Sequence, residues 1–212
     1  IGTYYRHQEV YCVEIIDNFA FLGYKNMGLE IVNFSDLSDI IMVSRNNVKD
    51  FPVKNIQIFD PYIIISGSSR GLKTFKFRDP FFSFKQAEFP KDFVNEAPSN
   101  KLLIRATTGY MANDYRGLSV LNLNLPMYPH EATNIKTNGK ALDLVIDRNY
   151  LYVVCTKSIE VYDIGEPEKP EKIFEHIDKD KKFQSIVIKG SYLFASFTQN
   201  SKEYGIMVFQ IE

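Results

Sequence analysis

The chain has 212 residues, of which 45% are hydrophobic and 14% aromatic, and its formal net charge at pH 7 is −1. Because there is no basic excess to neutralise phosphates, the composition argues against nucleic-acid binding as a main role. No apolar run approaches the ~20 residues that a helix needs to cross a bilayer, so we predict no membrane span.

A seven-residue strand pattern occurs five times along the chain, led by Gly in four copies and by Ser in one. The copies are Gly28–Phe34, Gly71–Phe77, Gly117–Leu123, Ser158–Ile164 and Gly205–Ile211. Their spacings are 43, 46, 41 and 47 residues. A strand-rich repeat of that length is typical of a β-propeller with one blade per repeat.

Short strand-forming runs separated by turn residues predict four antiparallel strands in each complete repeat. The first repeat is expected to place them at Tyr11–Ile16, Phe19–Tyr24, Leu29–Phe34 and Ile40–Ser44. The second is expected to place them at Val53–Phe59, Tyr62–Ser66, Leu72–Phe77 and Phe82–Gln86.

The third repeat departs furthest from the pattern, because a long hairpin is predicted at Gly109–Arg116. Its strands are expected at Phe93–Glu96, Leu102–Thr107, Leu118–Leu123 and Glu131–Asn134. The strands of the fourth repeat are expected at Ala141–Ile146, Tyr150–Cys155, Ile159–Ile164 and Glu171–Glu175. The fifth repeat has three expected strands, at Gln184–Ile188, Tyr192–Phe197 and Ile206–Ile211.

We therefore predict an all-β fold, a five-bladed β-propeller that forms a single domain over residues 1–212. The blades are expected at about 9–48, 49–89, 90–137, 138–180 and 181–212 plus 1–8. In this prediction the N-terminal strand Thr3–Gln8 pairs beside Ile206–Ile211, completes the last blade and covers an exposed sheet edge. The alternative is an open fragment of a larger propeller.

Both faces of the repeated strand carry large apolar residues, since motif positions 2, 5 and 7 are apolar in every copy and alternate positions face opposite ways. A sheet covered on both faces is expected to look like this. Position 6 is polar throughout and predicts a wetter edge; its residues are Asn33, Lys76, Asn122, Asp163 and Gln210. The leading glycine is expected to supply a positive φ.

Residues 141–170 resemble the LVIVD-repeat family of β-propeller proteins. The matching residues are Leu144-Val-Ile, Asn149-Tyr-Leu-Tyr-Val-Val and Ile159-Glu-Val-Tyr-Asp-Ile, followed by Pro167 and Pro170. The resemblance implies a propeller of a kind often found at bacterial and archaeal cell surfaces, generally without an assigned activity, and it carries over no catalytic residue. Because the chain begins at Ile1 rather than Met, we also expect a processed N-terminus.

The first strands of the repeats are expected to place sparse polar side chains around a central channel. Asn55, Gln57 and Asp143 are ligand-binding candidates there. The alternative function is a glycan-acting hydrolase that uses Glu14, Glu96 or Asp143, because glycoside hydrolysis needs two carboxyl groups ~5–10 Å apart. The chain has no Trp to stack on sugar rings, so we favour a non-enzymatic scaffold that presents loops to a protein or carbohydrate ligand.

The predicted hairpin of the third repeat carries residue types that are enriched in binding hot spots. These are Tyr110, Met111, Tyr115 and Arg116, which we take as further ligand-binding candidates. The aromatic run Pro80–Phe84 could contact a partner or pack within its blade. We expect a monomer that is exported or at the cell surface.

No cofactor or metal is predicted. The histidines His7, His130 and His176 are isolated and do not stand at ligand spacings. The two cysteines, Cys12 and Cys155, lie in apolar strand-like segments of different repeats and are predicted to be buried thiols.

Overall fold

The computed structural model describes residues 1–48, 51–68, 71–76, 85–88, 97–200 and 202–211; for residues 68 and 85–88 it describes the backbone alone. This part of the chain contains nineteen β-strands. It contains no helix long and apolar enough to cross a membrane. The strands belong to two compact units, one of Ile1–Ser99 with Leu125–Pro129 and the other of Asn100–Asn124 with His130–Glu212.

The first unit contains two antiparallel four-stranded sheets, each with its strands in chain order. The first sheet consists of β1 (Val10–Ile16), β2 (Phe19–Tyr24), β3 (Leu29–Asn33) and β4 (Ile41–Asn46). The second consists of β5 (Asn55–Phe59), β6 (Tyr62–Ser68), β7 (Gly71–Lys76) and β8 (Lys85–Glu88). One apolar cluster joins them and includes the fully buried Ile31, Phe51 and Phe75.

The second unit contains two antiparallel four-stranded sheets and, among its described residues, one of three strands. The third sheet consists of β9 (Lys101–Arg105), β10 (Thr108–Ala112), β11 (Leu118–Asn122) and β12 (His130–Ile135). The fourth consists of β13 (Ala141–Asp147), β14 (Tyr150–Cys155), β15 (Ser158–Asp163) and β16 (Glu171–Ile177). The fifth consists of β17 (Lys181–Lys189), β18 (Tyr192–Gln199) and β19 (Glu203–Gln210).

The inner strands of the fourth sheet are apolar on both faces, as the repeated motif predicts. In β14 and β15 nearly every residue is buried, whereas β19 alternates between exposed and half-buried residues. Buried side chains of β14 and β15 pack with Phe183, Ile186 and Leu193 of the fifth sheet. The fourth sheet is therefore a layer covered by neighbours, and β19 lies at a sheet edge.

Two strands predicted for the third repeat agree with β11 and β12, but the run expected as its second strand, Leu102–Thr107, contains the first described strand of the sheet, β9. The first two strands of its sheet are β9 and β10, which pair through a tight turn in which Ala106 has a φ of 50°. Gly109, expected to begin a long hairpin, instead lies in β10 opposite Ile104 and Leu121. The first part of the predicted long hairpin is thus a strand, Thr108–Ala112, and the connection to β11 comes after it.

The predicted N-terminal strand and part of the second and third repeats cannot be compared with strands of the structure. Residues 3–8, expected to form a strand, have no strand pairing, and the fifth sheet has three strands among the described residues. Completion of the last blade by the N-terminus therefore stays a prediction. The expected strand Phe93–Glu96, most of the strand expected at Phe82–Gln86 and the aromatic run Pro80–Phe84 lie outside the described residues.

The expected backbone geometry of the repeated motif is confirmed at three leading glycines. Gly28, Gly71 and Gly117 have φ values of 77°, 80° and 89°. Position 6 is half-buried or exposed in each copy and caps a turn in three of them. There Asn33, Asn122 and Asp163 accept a hydrogen bond from the backbone N–H two residues later, at 2.8, 3.0 and 2.7 Å.

Replacing Gly117 with alanine is expected to lower the free energy of unfolding by about 2–3 kcal/mol, because the left-handed backbone is strained for other residues. The new Cβ would also lie 2.3 Å from the carbonyl oxygen of Ile135. Gly190→Ala is the matched control, since Gly190 has a φ of 58° but no atom within 4 Å of its added Cβ. It is expected to cost about 1 kcal/mol. Urea unfolding measures both, and equal losses would contradict the prediction.

Candidate functional site

A groove of the second unit lies across the first strands of its three sheets, β9, β13 and β17, and has a volume of about 680 Å³. Its apolar lining consists of Leu103, Ile104, Leu144, Val145, Ile146, Ile186, Val187 and Ile188. Its polar lining consists of Lys101, Arg105, Asp143 and Ser185. We call this surface the first-strand groove. Concave, largely apolar surfaces with a few polar groups are typical of binding sites.

Bulges near the start of two strands set which side chains face the groove. The pairing register shifts between Ala141 and Asp143 in β13 and between Phe183 and Ser185 in β17. A bulge adds one residue to a strand and so changes the face on which later side chains lie. Asp143 and Ser185 come directly after these shifts.

Asp143 links the fourth sheet to the fifth. Its Oδ2 accepts hydrogen bonds from the Ser185 hydroxyl at 2.8 Å and from the Ile186 backbone N–H at 3.0 Å. Its Oδ1 accepts one from the Leu144 N–H at 2.9 Å. Both carboxylate oxygens are therefore engaged, and Oδ2 holds the two first strands β13 and β17 together.

The predicted acids lie in different units or outside the described residues, so a catalytic pair among them stays a prediction. Asp143 is the only carboxylate that lines the first-strand groove, whereas Glu14 is half-buried in β1 of the first unit. Glu96 lies outside the described residues, so its expected place on a first strand stays a prediction. No observation here favours the hydrolase alternative, which requires two adjacent carboxyl groups.

The other polar candidates of the first strands lie in β5 of the first unit. Asn55 is 8% exposed and stands opposite Ser66 in the pairing register. Gln57 is half-buried, and its side-chain amide donates to the carbonyl of Ile56 at 3.0 Å. Neither residue lines the first-strand groove.

The hairpin candidates separate into core and surface residues. Tyr110 and Met111 lie in β10 and are fully buried, so their assignment to an exposed hairpin is wrong. Tyr110 donates its hydroxyl to the carbonyl of Pro167 at 3.0 Å, and burial raises the pKa of this tyrosine to about 12. Tyr115 is 52% exposed, and Arg116 forms an ion pair with Glu131 at 2.9 Å.

The thiols and the metal-binding residue types offer no further site. Cys155 is buried, which raises the pKa of its thiol to about 12. Cys12 is half-buried and donates to the carbonyl of Val53 at 3.4 Å. Within the described ranges, no three His, Cys, Asp or Glu side chains form a group that could hold a metal ion.

Sequence reasoning missed a set of buried polar side chains at the third motif position. In the fourth sheet this residue is Glu160, which is fully buried. Its carboxylate accepts hydrogen bonds from the Asn138 N–H at 2.6 Å and the Ser158 hydroxyl at 3.1 Å, and also from the Tyr162 hydroxyl. The ammonium group of Lys172 lies 3.7 Å away.

The same motif position carries a different polar network in the first and third sheets. Glu30 in β3 is fully buried and forms ion pairs with Arg6 at 3.1 Å and Arg45 at 2.6 Å. Ser119 in β11 accepts hydrogen bonds from the side-chain amides of Asn113 at 3.0 Å and Asn134 at 3.1 Å. The recurrence of Glu at motif position 3 in two repeats was the available sequence signal.

Solved structures with a similar fold identify the class. The computationally designed Ika8 protein matches with a TM-score of 0.72 and 10% identity over 96% of this chain and 58% of Ika8. The beta-propeller domain of Cps50 (Swd1) from Myceliophteria thermophila matches with a TM-score of 0.71 and 8% identity over 95% of this chain and 70% of that one. The fold is therefore of the β-propeller class, and this chain spans 58% of the length of Ika8.

Within that class, the sequence repeats are of a known kind. The family model described as LVIVD repeat matches residues 10–48 and 138–175. These two segments are thus similar to LVIVD repeats, and the resemblance seen in the sequence is confirmed. No curated protein matches the sequence.

Proposed function

We propose that this protein is a non-enzymatic binding scaffold whose first-strand groove takes a segment of a partner protein. The scaffold is a single domain, with the five sheets as the blades of a five-bladed propeller. A propeller-like repeat fold supports a scaffold or binding role in general, because it is a rigid support for binding surfaces. The single observation that carries the proposal is the first-strand groove, an open and mainly aliphatic surface with few polar groups.

The lining of the groove favours a protein ligand over a carbohydrate. No aromatic ring is among its lining residues within the described part of the chain, and sugar rings are commonly bound by stacking on aromatic side chains. Val187, one of the aliphatic lining residues, is 57% exposed. Exposed apolar surface of this kind marks interaction sites in proteins. The LVIVD repeats support a cell-surface or exported location for the scaffold.

The charges of the groove favour an acidic segment. Lys101 and Arg105 both line it, whereas the carboxylate of Asp143 is engaged with Ser185 and Ile186. Arg105 is held in place by hydrogen bonds to the carbonyl of Arg148 at 2.6 Å and the side chain of Asn149 at 2.8 Å. A partner segment that combines aliphatic side chains with a carboxylate complements this surface.

A displayed peptide library selected on the intact protein tests the proposal. Enriched peptides are expected to be aliphatic and acidic, and Val187→Asp is expected to weaken their binding by about tenfold or more, because it places an unpaired charge in the contact. Ile206→Asp is the matched control. Ile206 is a 65% exposed strand residue of the same sheet as Val187, but it does not line the groove.

Lys101→Glu provides a second, electrostatic test. It is expected to reduce the affinity of acidic peptides and to lower the salt dependence of their binding. A selection that enriches no peptide, or peptides that bind the Val187→Asp and wild-type proteins equally, would overturn the proposal.

A further inference from the structure

A separate pocket lies in the first unit, where residues before β1 lie against the first sheet. It has a volume of about 350 Å³. Its lining consists of Tyr4, Tyr5, Arg6, Val10, Ala20, Leu22, Tyr24, Val32, Phe34 and Ile40. Four of these ten residues are aromatic, and Arg6 is the only charged one. We call this cavity the Arg6 pocket.

The polar end of the Arg6 pocket has an excess of positive charge. Arg6 donates from Nε and Nη2 to the buried carboxylate of Glu30, at 3.4 and 3.1 Å. Arg45 donates from Nε and Nη2 to the same carboxylate, at 3.0 and 2.6 Å. Two guanidinium groups therefore share one carboxylate, and one positive charge is left over. A negatively charged ligand would balance it.

Two hydrogen-bond donors remain available at this end. The hydroxyl of Tyr4 is buried and makes no hydrogen bond of good geometry, although Arg6 and Glu30 both lie close enough to shift its pKa. The guanidinium of Arg6 lies over the Tyr4 ring, 5.3 Å from its centroid, and the bonds to Glu30 leave its Nη1 unused. A buried polar group without a partner is uncommon in folded proteins. A carboxylate can accept hydrogen bonds from an arginine and a hydroxyl together.

The rest of the lining selects an apolar ring. Leu22, Val32, Phe34 and Ile40 provide aliphatic and aromatic walls without polar side-chain atoms. A sugar would leave several hydroxyl groups unpaired against these walls, at a cost of about 1–3 kcal/mol each. A planar aromatic ring has no such cost, and it can pack against tyrosine and phenylalanine rings in stacked or edge-on geometry.

We propose that the Arg6 pocket binds an aromatic carboxylate, with the ring among the apolar walls and the carboxylate accepting hydrogen bonds from Arg6 and Tyr4. The carboxylate could come from a free aromatic acid or from the C-terminus of a peptide that ends in Phe or Tyr. This site belongs to the first unit, whereas the first-strand groove belongs to the second. The two proposals can therefore fail independently.

Titration calorimetry on the intact protein, supported by ligand-observed NMR, tests this assignment. The probes are trans-cinnamate, its uncharged amide, N-acetylphenylalanine and N-acetylphenylalanine amide. At least one of the two acids is expected to bind at least tenfold more tightly than its amide. Tighter binding of cinnamate identifies a free acid as the source, whereas tighter binding of N-acetylphenylalanine identifies a peptide C-terminus.

Three variants separate a ligand contact from a structural effect. Arg6→Gln is expected to weaken binding by about tenfold or more, and Tyr4→Phe by about fivefold, because each removes a donor to a charged acceptor. Arg45→Gln is the matched control, since Arg45 binds the same Glu30 carboxylate but does not line the pocket. Because it removes the excess positive charge but no donor to the ligand, it is expected to weaken binding by about threefold, clearly less than Arg6→Gln.

The proposal would be overturned if neither acid bound at millimolar concentration, or if each amide bound as tightly as its acid. It would also be overturned if Arg45→Gln weakened binding as much as Arg6→Gln. In the last case arginine would act through Glu30 and the fold rather than through the ligand. Thermal unfolding of each variant, measured alongside, shows that the compared proteins are folded.

Discussion

Replacing Glu160 with leucine is expected to lower the free energy of unfolding by about 3–5 kcal/mol, one of the largest losses that a single change in this chain should cause. The leucine would leave the buried hydroxyl of Tyr162 and the N–H of Asn138 without their acceptor, whereas Ser158 would keep the carbonyl of Asn138. It would also remove one of the two carboxylates near Lys172, at 3.7 Å, and leave Glu175 at 3.2 Å. Buried polar groups that lose a partner cost about 1–3 kcal/mol each.

Urea unfolding of wild type, Glu160→Leu and Glu160→Gln measures this effect. Glutamine keeps the shape and one acceptor oxygen, so its loss is expected to be about half that of leucine. Glu175→Leu is the control, because Glu175 stands directly opposite Glu160 in the β15–β16 register and is exposed. A Glu160→Leu protein as stable as this control would show that the network contributes little.

The second large effect is an acid-dependent loss of stability through Glu30. Burial raises the pKa of the Glu30 carboxyl, but hydrogen bonds from Arg45, Tyr24 and Arg6 outweigh it, so the pKa is lowered from its ordinary value of 4.5. A carboxyl whose pKa is lowered by folding stabilises the folded state fully above its unfolded value. This contribution is lost as the pH falls below 4.5 and through the lower, folded pKa.

Unfolding by urea at a series of pH values from 7 to 3 measures this contribution. Glu30→Gln is expected to cost about 2–3 kcal/mol at pH 7, since hydrogen bonds to a charged group are replaced by weaker ones. The difference from wild type is expected to shrink below pH 4.5 as the wild-type carboxyl takes up a proton. Asp36→Asn is the comparison: hydrogen bonds from Ser38 lower the pKa of Asp36 too, so its difference should change with pH in the same direction, but less, because Asp36 is exposed to solvent. A difference that does not change with pH would contradict the role assigned to Glu30.

The periodicity of the motif was enough to predict the strand-rich repeats and most strand positions. Strand formation depends on local features that the sequence displays, such as alternating apolar residues and turn-forming Gly and Asn. The expected position of β14 at Tyr150–Cys155, for example, agrees with the structure to the residue. The long hairpin predicted in the third repeat was wrong because a glycine within a strand and a glycine in a turn look alike in the local sequence.

Bulges are one reason why the local sequence pattern did not predict which side chains meet across neighbouring strands. Between motif positions 4 and 5 the register shifts in three sheets, at Ile31/Val32, Val120/Leu121 and Val161/Tyr162. Each shift changes which residues of the following strand face the network at position 3. A bulge depends on pairing between two strands rather than on the composition of either one, so the pattern of one strand does not predict it.

The candidate sites were only partly predictable for a related reason. Asp143 was correctly expected on a first strand, but its bonds to Ser185 and Ile186 depend on the approach of a different sheet. Glu30 resembles an ordinary surface residue in the sequence. Its burial is explained by Arg6 and Arg45, which lie 24 residues before it and 15 residues after it.

The different networks at motif position 3 limit how freely the repeats could be recombined. A chimaera that placed β11 between β2 and β4 would put Ser119 in the place of Glu30, and Arg45 would lose its carboxylate partner. The reverse exchange would bury Glu30 beside the amides of Asn113 and Asn134. Each third strand is thus matched to its own neighbours by charge, although all share one apolar pattern. Duplication and shuffling of such units, in evolution or in protein engineering, would have to move whole sheets rather than single strands.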